Sequence, residues 1–448
     1  MKTISKWLLA GALVASFNLH GQERKLSLEQ ALTLANENNK ALKAELMEAK
    51  SFHEEIKISK AAMLPTLSAG GSYSYYMDRQ VIFMPGSFTG NEIEPVVDVA
   101  VGGKNVFNSY VSLHQPIVSE ASRRQIKAAR LNESIKALDL KDTRANLHVK
   151  VTATYYRALL IKESIVLNRQ SLERNLKSLD DSKVLLLQGK SLKVDTLRNF
   201  IVVENLKTTI SHLENQYRVI ELQLNRLMGI NSNESIEFTD SLKHDIEARY
   251  FAAVEVLYTD AIQNRPDIQS QKLNVELSRN MLSQSRAQKL PTLSLIGAYQ
   301  VQAQADDSRL NSYRWPKTSF LGLQANVPIF SGNRINSRIR QSNFRLQAEE
   351  LRLQDATQNA NTEIITFQND LKELVQRLSA QAKTVNAAET NFNIINDRYQ
   401  NGLSSRLELS DAELALTEAK MGYLNTVYKV KIAKLQLDKA LGLLNSND

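Results

Sequence analysis

Two spacings of apolar residues alternate along the chain. From Leu28 onward they recur three and four residues apart, the mark of a single helix face. Ser27-Leu28-Glu29-Gln30 fits a capping box, so a first helix is predicted from there to about Met63. A second, from about Ser119 to Leu187, carries Leu131, Ile135, Leu138, Ala145, Val149, Tyr156 and Leu159 on one stripe. At 1.5 Å per residue it would extend roughly 100 Å. After Gly189 a returning helix shows an unbroken alternation at Leu206, Ile210, Leu213, Tyr217, Ile220, Leu224 and Leu227, the seam of a coiled coil. Gly189 and Gly402 suit the left-handed position that ends a helix and reverses the chain.

Between Pro65 and Pro116 the period drops to two. Leu67, Ala69, Gly71, Tyr73 and Tyr75 fall on one face, with Thr66, Ser68, Gly70, Ser72 and Ser74 on the other. Val111 and Leu113 alternate with Tyr110, Ser112 and His114 in a returning strand. The same plan recurs at Leu293, Leu295, Gly297, Tyr299 and Val301, and again at Leu321, Leu323, Ala325 and Val327. These read as strands of about 10–12 residues with one apolar and one small polar face, close to the roughly 9–11 of a tilted membrane strand. The segments at about Ile82–Lys104 and Ala303–Pro316 read as polar loops. Tyr73, Tyr75, Tyr76, Phe107 and Tyr299 are candidates for an aromatic girdle at the membrane surface.

The chain is an imperfect duplication. Leu64-Pro65-Thr66-Leu67-Ser68 returns as Leu290-Pro291-Thr292-Leu293-Ser294, and Gly189 and Gly229 return as Gly402 and Gly442. A first repeat is expected over 22–230 and a second over 231–448, each with a helix, two strands, a very long helix and a returning helix. Four strands per chain cannot close a barrel, and an open sheet edge cannot face lipid. Membrane strands must therefore be shared between copies. Two copies would give eight strands. Three give twelve and more room for an aqueous lumen, so a trimer is expected.

Composition narrows the class. Glycine (16) and proline (8) are scarce in 448 residues, which disfavours an all-β or doubly wound fold. With no cysteine there is no disulfide scaffold, no thiolate metal site and no acylated-cysteine anchor. Residues 1–21 read as a secretory signal, with Lys2 and Lys6 ahead of the apolar Trp7–Phe17. Their removal takes two lysines from a net charge of +8, leaving +6. Basic and acidic residues interleave, so no nucleic-acid surface is expected. The six histidines show no ligand spacing, and Gly102-Gly103-Lys104 lacks a phosphate-loop frame. Neither metal nor cofactor is expected, and the chain does not read as an enzyme. A soluble periplasmic coiled-coil adaptor or structural rod stands as the other reading of the same pattern.

The LSLEQALTLANENN start, both LPTLS motifs, Asn264-Arg265-Pro266-Asp267, the VPIFSGNR segment at 327–334 and the Tyr399–Gly402 turn together resemble the TolC-like outer-membrane efflux proteins. The resemblance covers about residues 26–444. It implies a trimer with a 12-stranded antiparallel β-barrel in the outer membrane of a Gram-negative bacterium, continued by a long α-helical barrel through the periplasm. It implies an exit duct for tripartite efflux or type I secretion, met by a periplasmic adaptor and an inner-membrane pump. Tyr399 matches a gating tyrosine of the family, and Glu408 and Asp411 match two acidic aperture positions. Asp195, six residues after Gly189 as Glu408 is after Gly402, is the first-half equivalent. Where the family has arginine two residues after the second glycine, this chain has Ser404, and Arg406 follows two further on. Gly189 and Lys190, with Gly402 and Leu403, mark the turns where adaptor tips would dock.

Overall fold

The structure is a computed structural model and describes residues 24–90, 93–231, 236–242, 248–251, 254–307 and 309–445. The signal segment expected at 1–21 lies outside the described residues. In chain order the elements are β1 (Arg24–Leu26), α1 (Leu28–Asn38), α2 (Lys40–Ala61), β2 (Thr66–Tyr75), β3 (Gln80–Pro85), β4 (Val96–Val101), β5 (Asn105–Val118), α3 (Glu120–Leu187) and α4 (Lys193–Met228). There follow β6 (Ile236–Phe238), α5 (Val254–Asn264), α6 (Pro266–Ala287), β7 (Thr292–Ala305), β8 (Lys317–Asn326), α7 (Arg334–Gln400) and α8 (Arg406–Ala440). The long helices, α3 with 68 residues and α7 with 67, match the sequence expectation. No described helix is long and apolar enough to cross a membrane.

The chain forms two compact units, each drawn from both halves of the sequence. One comprises Met1–Glu45, Leu140–Pro266 and Gln358–Asp448, the other Leu46–Asp139 and Asp267–Thr357. In the first unit, one core gathers around Tyr155, which is fully buried with Val151, Leu159, Leu224 and Met228. Its hydroxyl donates to the Leu26 carbonyl at 2.9 Å and to Asp240 Oδ2 at 2.8 Å. Asp240 also accepts from the Leu28 amide, so one carboxylate ties the start of α1 to the strand pair β1–β6. Burial and the neighbouring Asp240 push the Tyr155 phenol far above its usual value, which keeps it a donor. A second core forms around Tyr250, Ile364, Leu371, Val427 and Leu437.

The first helix is not continuous to Met63. It breaks at Asn39, whose backbone leaves the helical region at ψ 121°. The Asn39 side chain accepts from the Leu42 amide at 2.9 Å and donates to the Leu227 carbonyl at 2.8 Å, capping α2 as α1 ends. The second half breaks at the same place, where Pro266 opens α6 and needs no amide partner. Each break lies against the glycine that ends the returning helix. A Cβ on Gly229 would sit 2.3 Å from the Asn38 carbonyl oxygen, and one on Gly442 2.8 Å from the Asn264 carbonyl carbon. Glycine is required there both for its positive φ and for this approach.

The second unit holds a four-stranded antiparallel sheet in the order β2-β5-β7-β8. Its register places Leu67 opposite Leu113, Val111 opposite Tyr299 and Gly297 opposite Leu321, so the predicted alternation is real and continuous across strands. One face is apolar and exposed: Leu67, Leu321 and Leu323 keep 66–73% of their surface free. The other carries Ser68, Ser72, Asn108, Ser112, Gln300 and Gln324, with Tyr110 and Phe320 among them and no Asp, Glu, Lys or Arg in its rows; Lys317, opposite Val301 at the end of β8, falls on the apolar face. The outer edges of β2 and β8 have no partner among the described residues.

The segment expected as a polar loop from Ile82 is instead a second hairpin, β3–β4, paired from Gln80↔Val101 to Pro85↔Val96. Its β-branched and apolar residues favour strands, while its prolines and glycines cluster at the tip. The chain kinks into it at Gly102, with φ 78°, and at Gly103, whose added Cβ would meet the Ala305 backbone at 2.3 Å. Arg79 pairs with Asp306, which also accepts the Lys104 amide, fixing the kink to the end of β7.

Candidate functional site

Both long helices reverse through the same backbone motif. The Gly189 amide donates to the Leu186 carbonyl and Lys190 to Leu185; Gly402 donates to Tyr399 and Leu403 to Arg398. Both glycines are left-handed, at φ 70° and 73°, with open space where a Cβ would sit. The reversal is therefore paid for by glycine's backbone freedom alone. Leu187, Leu192 and Leu403 keep 68–89% of their surface exposed around these turns. Lys190 is also exposed.

The side chains at the second turn form a connected set. Ser405 caps α8: its hydroxyl accepts from the Glu408 amide at 3.2 Å, and Glu408 Oε2 accepts from the Ser405 amide at 2.9 Å. The Ser404 hydroxyl also donates to Glu408. These donors hold the Glu408 carboxyl below its usual value, with the Ser404 bond the largest cause. Asp411, one turn on, is exposed and has no hydrogen bond or ion pair among the described residues. Of the two expected aperture acids, Glu408 is engaged locally and Asp411 is free. Asp195, in the first turn of α4, is half-buried and accepts from Ser191 Oγ at 3.5 Å.

Arg406 lies over the Tyr399 ring at 5.7 Å, and its Nε donates to Asn199 Oδ1 at 3.4 Å. Asn199 is buried and donates in turn to the Ser178 carbonyl at 3.3 Å, so α8, α4 and α3 are linked through one amide. The Nη2 nitrogen of Arg406 is buried with no hydrogen-bond partner among the described residues. A buried guanidinium nitrogen without an acceptor is costly. Below it, Arg174 pairs with the buried Glu413 at 2.8 Å and lies over the Phe392 ring at 5.8 Å. Arg174, Asp181, Tyr399, Arg406 and Glu413 line one cleft of about 490 Å³. Sequence reasoning named Tyr399 and Arg406 but not Arg174, Asn199 or Glu413. Nothing in their local sequence marks them, because the cleft joins residues more than 200 positions apart.

At the sheet, Tyr73 and Phe107 stack at 4.7 Å on the apolar face. Tyr75 shares that face, opposite Asn105. Tyr299 shares it too but sits four residues along the strand from the Phe107 row, opposite Val111, so it belongs to a different level. Tyr76 lies past the end of β2. Tyr313 and Trp315 complete the cluster, with ring centroids 5.9 and 6.0 Å from Phe107. The Tyr-Arg-Trp triplet just before β8 was the available signal for them.

The outer membrane efflux protein family profile matches residues 31–230 and 257–443. The proteases secretion protein PrtF of Dickeya chrysanthemi is 23% identical over 448 residues, covering 96% of this chain and 90% of that protein. The outer membrane protein TolC of Escherichia coli K12 is 20% identical, covering 98% and 87%. The crystal structure of the outer membrane protein VceC of Vibrio cholerae superposes with a TM-score of 0.76 at 16% identity, covering 93% of this chain and 96% of that one. The duplicated helix–strand plan, the two-faced sheet and this match over most of the sequence establish that the chain belongs to the outer membrane efflux protein family.

Proposed function

We propose that three copies of this chain form an exit duct in the outer membrane, with the helices extending into the periplasm. The observation that carries the reading is the four-stranded sheet, with its exposed apolar face and two open edges. Pairing β8 of one copy with β2 of the next satisfies both edges, and three copies close twelve strands around the uncharged polar face. Ten residues of β2 or β8 at about 3.3 Å, tilted by about 40°, cover about 25 Å, the height of the apolar band of outer-membrane barrels. Tyr73, Phe107, Tyr313 and Trp315 then form one aromatic girdle.

The helix turns form the periplasmic entrance. Tyr399 and Arg406 act as a latch there, with Arg406 held over the Tyr399 ring and bonded to Asn199. Asp411, supported by Glu408 and Asp195, repeats three times at the constriction and attracts cations. The exposed leucines beside Gly189, Lys190, Gly402 and Leu403 suit docking of a periplasmic adaptor, which connects the duct to an inner-membrane pump. The duct is passive and performs no chemistry on its cargo.

Extraction and imaging test this reading. The mature protein is expected to require detergent, to show three-fold particles by cryo-electron microscopy and to conduct in planar bilayers. Detergent-free monomers would overturn it in favour of a soluble rod. Asp411→Asn is expected to weaken block of the open duct by divalent cations, and unchanged block would remove Asp411 from the aperture.

A further inference from the structure

The start of α7 carries a charge pattern that helix physics disfavours. Its first twelve residues, Arg334 to Arg345, hold four arginines, and no acid follows until Glu349. The positive end of the helix macrodipole favours acids, not cations. Helix α3, the same element of the first half, obeys that rule: Glu120 lies in its first turn and pairs with Arg124 at 2.8 Å. In α7, Arg334 and Arg338 have no acidic partner among the described residues, and Arg340 reaches only the Ser337 hydroxyl, at 3.0 Å. All three are exposed.

Apolar residues are exposed beside them. Val327, Ile329 and Phe330, which join β8 to α7, keep 54, 96 and 88% of their surface free. Phe344, at 66%, lines one shallow groove with Arg340 and Arg345. Exposed aliphatic and aromatic side chains next to arginines suit the boundary between hydrocarbon and headgroups, and they would be poorly placed in an aqueous lumen. The segment is also continuous with the apolar face of the sheet, which Val327 extends.

We propose that Arg334, Arg338 and Arg340 form a collar that binds anionic phospholipid headgroups of the leaflet facing the helices, with Ile329 and Phe330 seated in the acyl boundary. This rests on the duct reading, which places the sheet in the bilayer. Distance supports it. Arg334 to Arg340 spans about 9 Å of helix, within the roughly 5–8 Å headgroup layer plus the reach of an arginine side chain. Arg345 lies about 17 Å from the helix start and falls outside the collar.

The test uses the full-length trimer and vesicles or nanodiscs of phosphatidylglycerol or phosphatidylcholine. The wild type is expected to prefer phosphatidylglycerol, with a preference that falls as salt rises. At roughly fivefold per arginine, Arg334→Gln, Arg338→Gln and Arg340→Gln together should lower that preference roughly 100-fold. The matching triple change to Lys should retain most of it, which separates loss of charge from loss of fold. A triple Gln variant that keeps the wild-type preference would overturn the collar. So would one that changes the ion selectivity of the open channel with lipid preference intact, because the arginines would then line the lumen. Insertion and conduction by the triple Gln variant in phosphatidylcholine leave the duct standing whatever the lipid result. Failure of the wild type to insert would instead overturn the duct, and the collar with it.

Discussion

The two helix turns share one backbone and differ in nearly every side chain that touches it. Counting from each glycine, Leu185 and Leu186 stand where the second turn has Arg398 and Tyr399. Leu192 and Lys193 stand where it has Ser405 and Arg406, and Arg198 where it has Asp411. Leu192, at the N-cap of α4, gives no side-chain cap, while Ser405 opens α8 with a full capping box. In the second turn the Arg398 guanidinium also donates to the Leu403 carbonyl at 3.2 Å. The reversal itself needs only a left-handed glycine and two backbone bonds, so duplication preserved it. The polar set at the second turn is not needed to reverse the chain, which is why it points to a role beyond folding.

Changes that break the shared part should have the largest effects, and equal ones. Gly189→Ala and Gly402→Ala each force a left-handed alanine, at about 1–2 kcal/mol. With nothing within 4 Å of either Cβ, no steric term separates them. Hydrogen exchange at the two turns should show the same loss of protection, about 5- to 30-fold. A large difference would mean the turns are not equivalent.

The caps should separate the turns by less. Ser405→Ala removes one half of the capping box and should cost about 1 kcal/mol at the start of α8. Leu192→Ser offers α4 the hydroxyl it lacks and should gain up to about 1 kcal/mol. Equal responses to the two changes, read by exchange at the first turn of each helix, would remove the asymmetry.

Acid should have the smallest effect. The Glu408 carboxyl is held below its usual 4.5, so its contribution is present above that value. It is lost as pH falls through the depressed one. The start of α8 should therefore fray in acid and behave alike at pH 7 and 5, and Glu408→Gln should abolish the dependence.

Much of the fold is legible in the sequence because it rests on local rules. The capping box at Ser27, the seam from Leu206 to Leu227, the period-two strands and the turn glycines each follow from spacing that neighbouring residues enforce. The helix break at Asn39 was not legible, because an asparagine inside an apolar-periodic run caps α2 only once the Leu227 carbonyl is brought to it. The β3–β4 hairpin was hidden by the prolines and glycines at its tip. At the site, Tyr399 and Arg406 were found beside a glycine turn, whereas Asn199 and Glu413 were not. Their roles depend on helices distant in sequence that meet only in the fold.

We propose that the turns are alike in backbone and that only the second latches the periplasmic entrance. Single-channel conductance in planar bilayers separates the two turns, comparing Arg406→Ala with Lys193→Ala at the matching position. Arg406→Ala is expected to raise conductance several-fold, as the contacts to Tyr399 and Asn199 are lost, and Lys193→Ala to leave it unchanged. Equal conductance in both variants would contradict it.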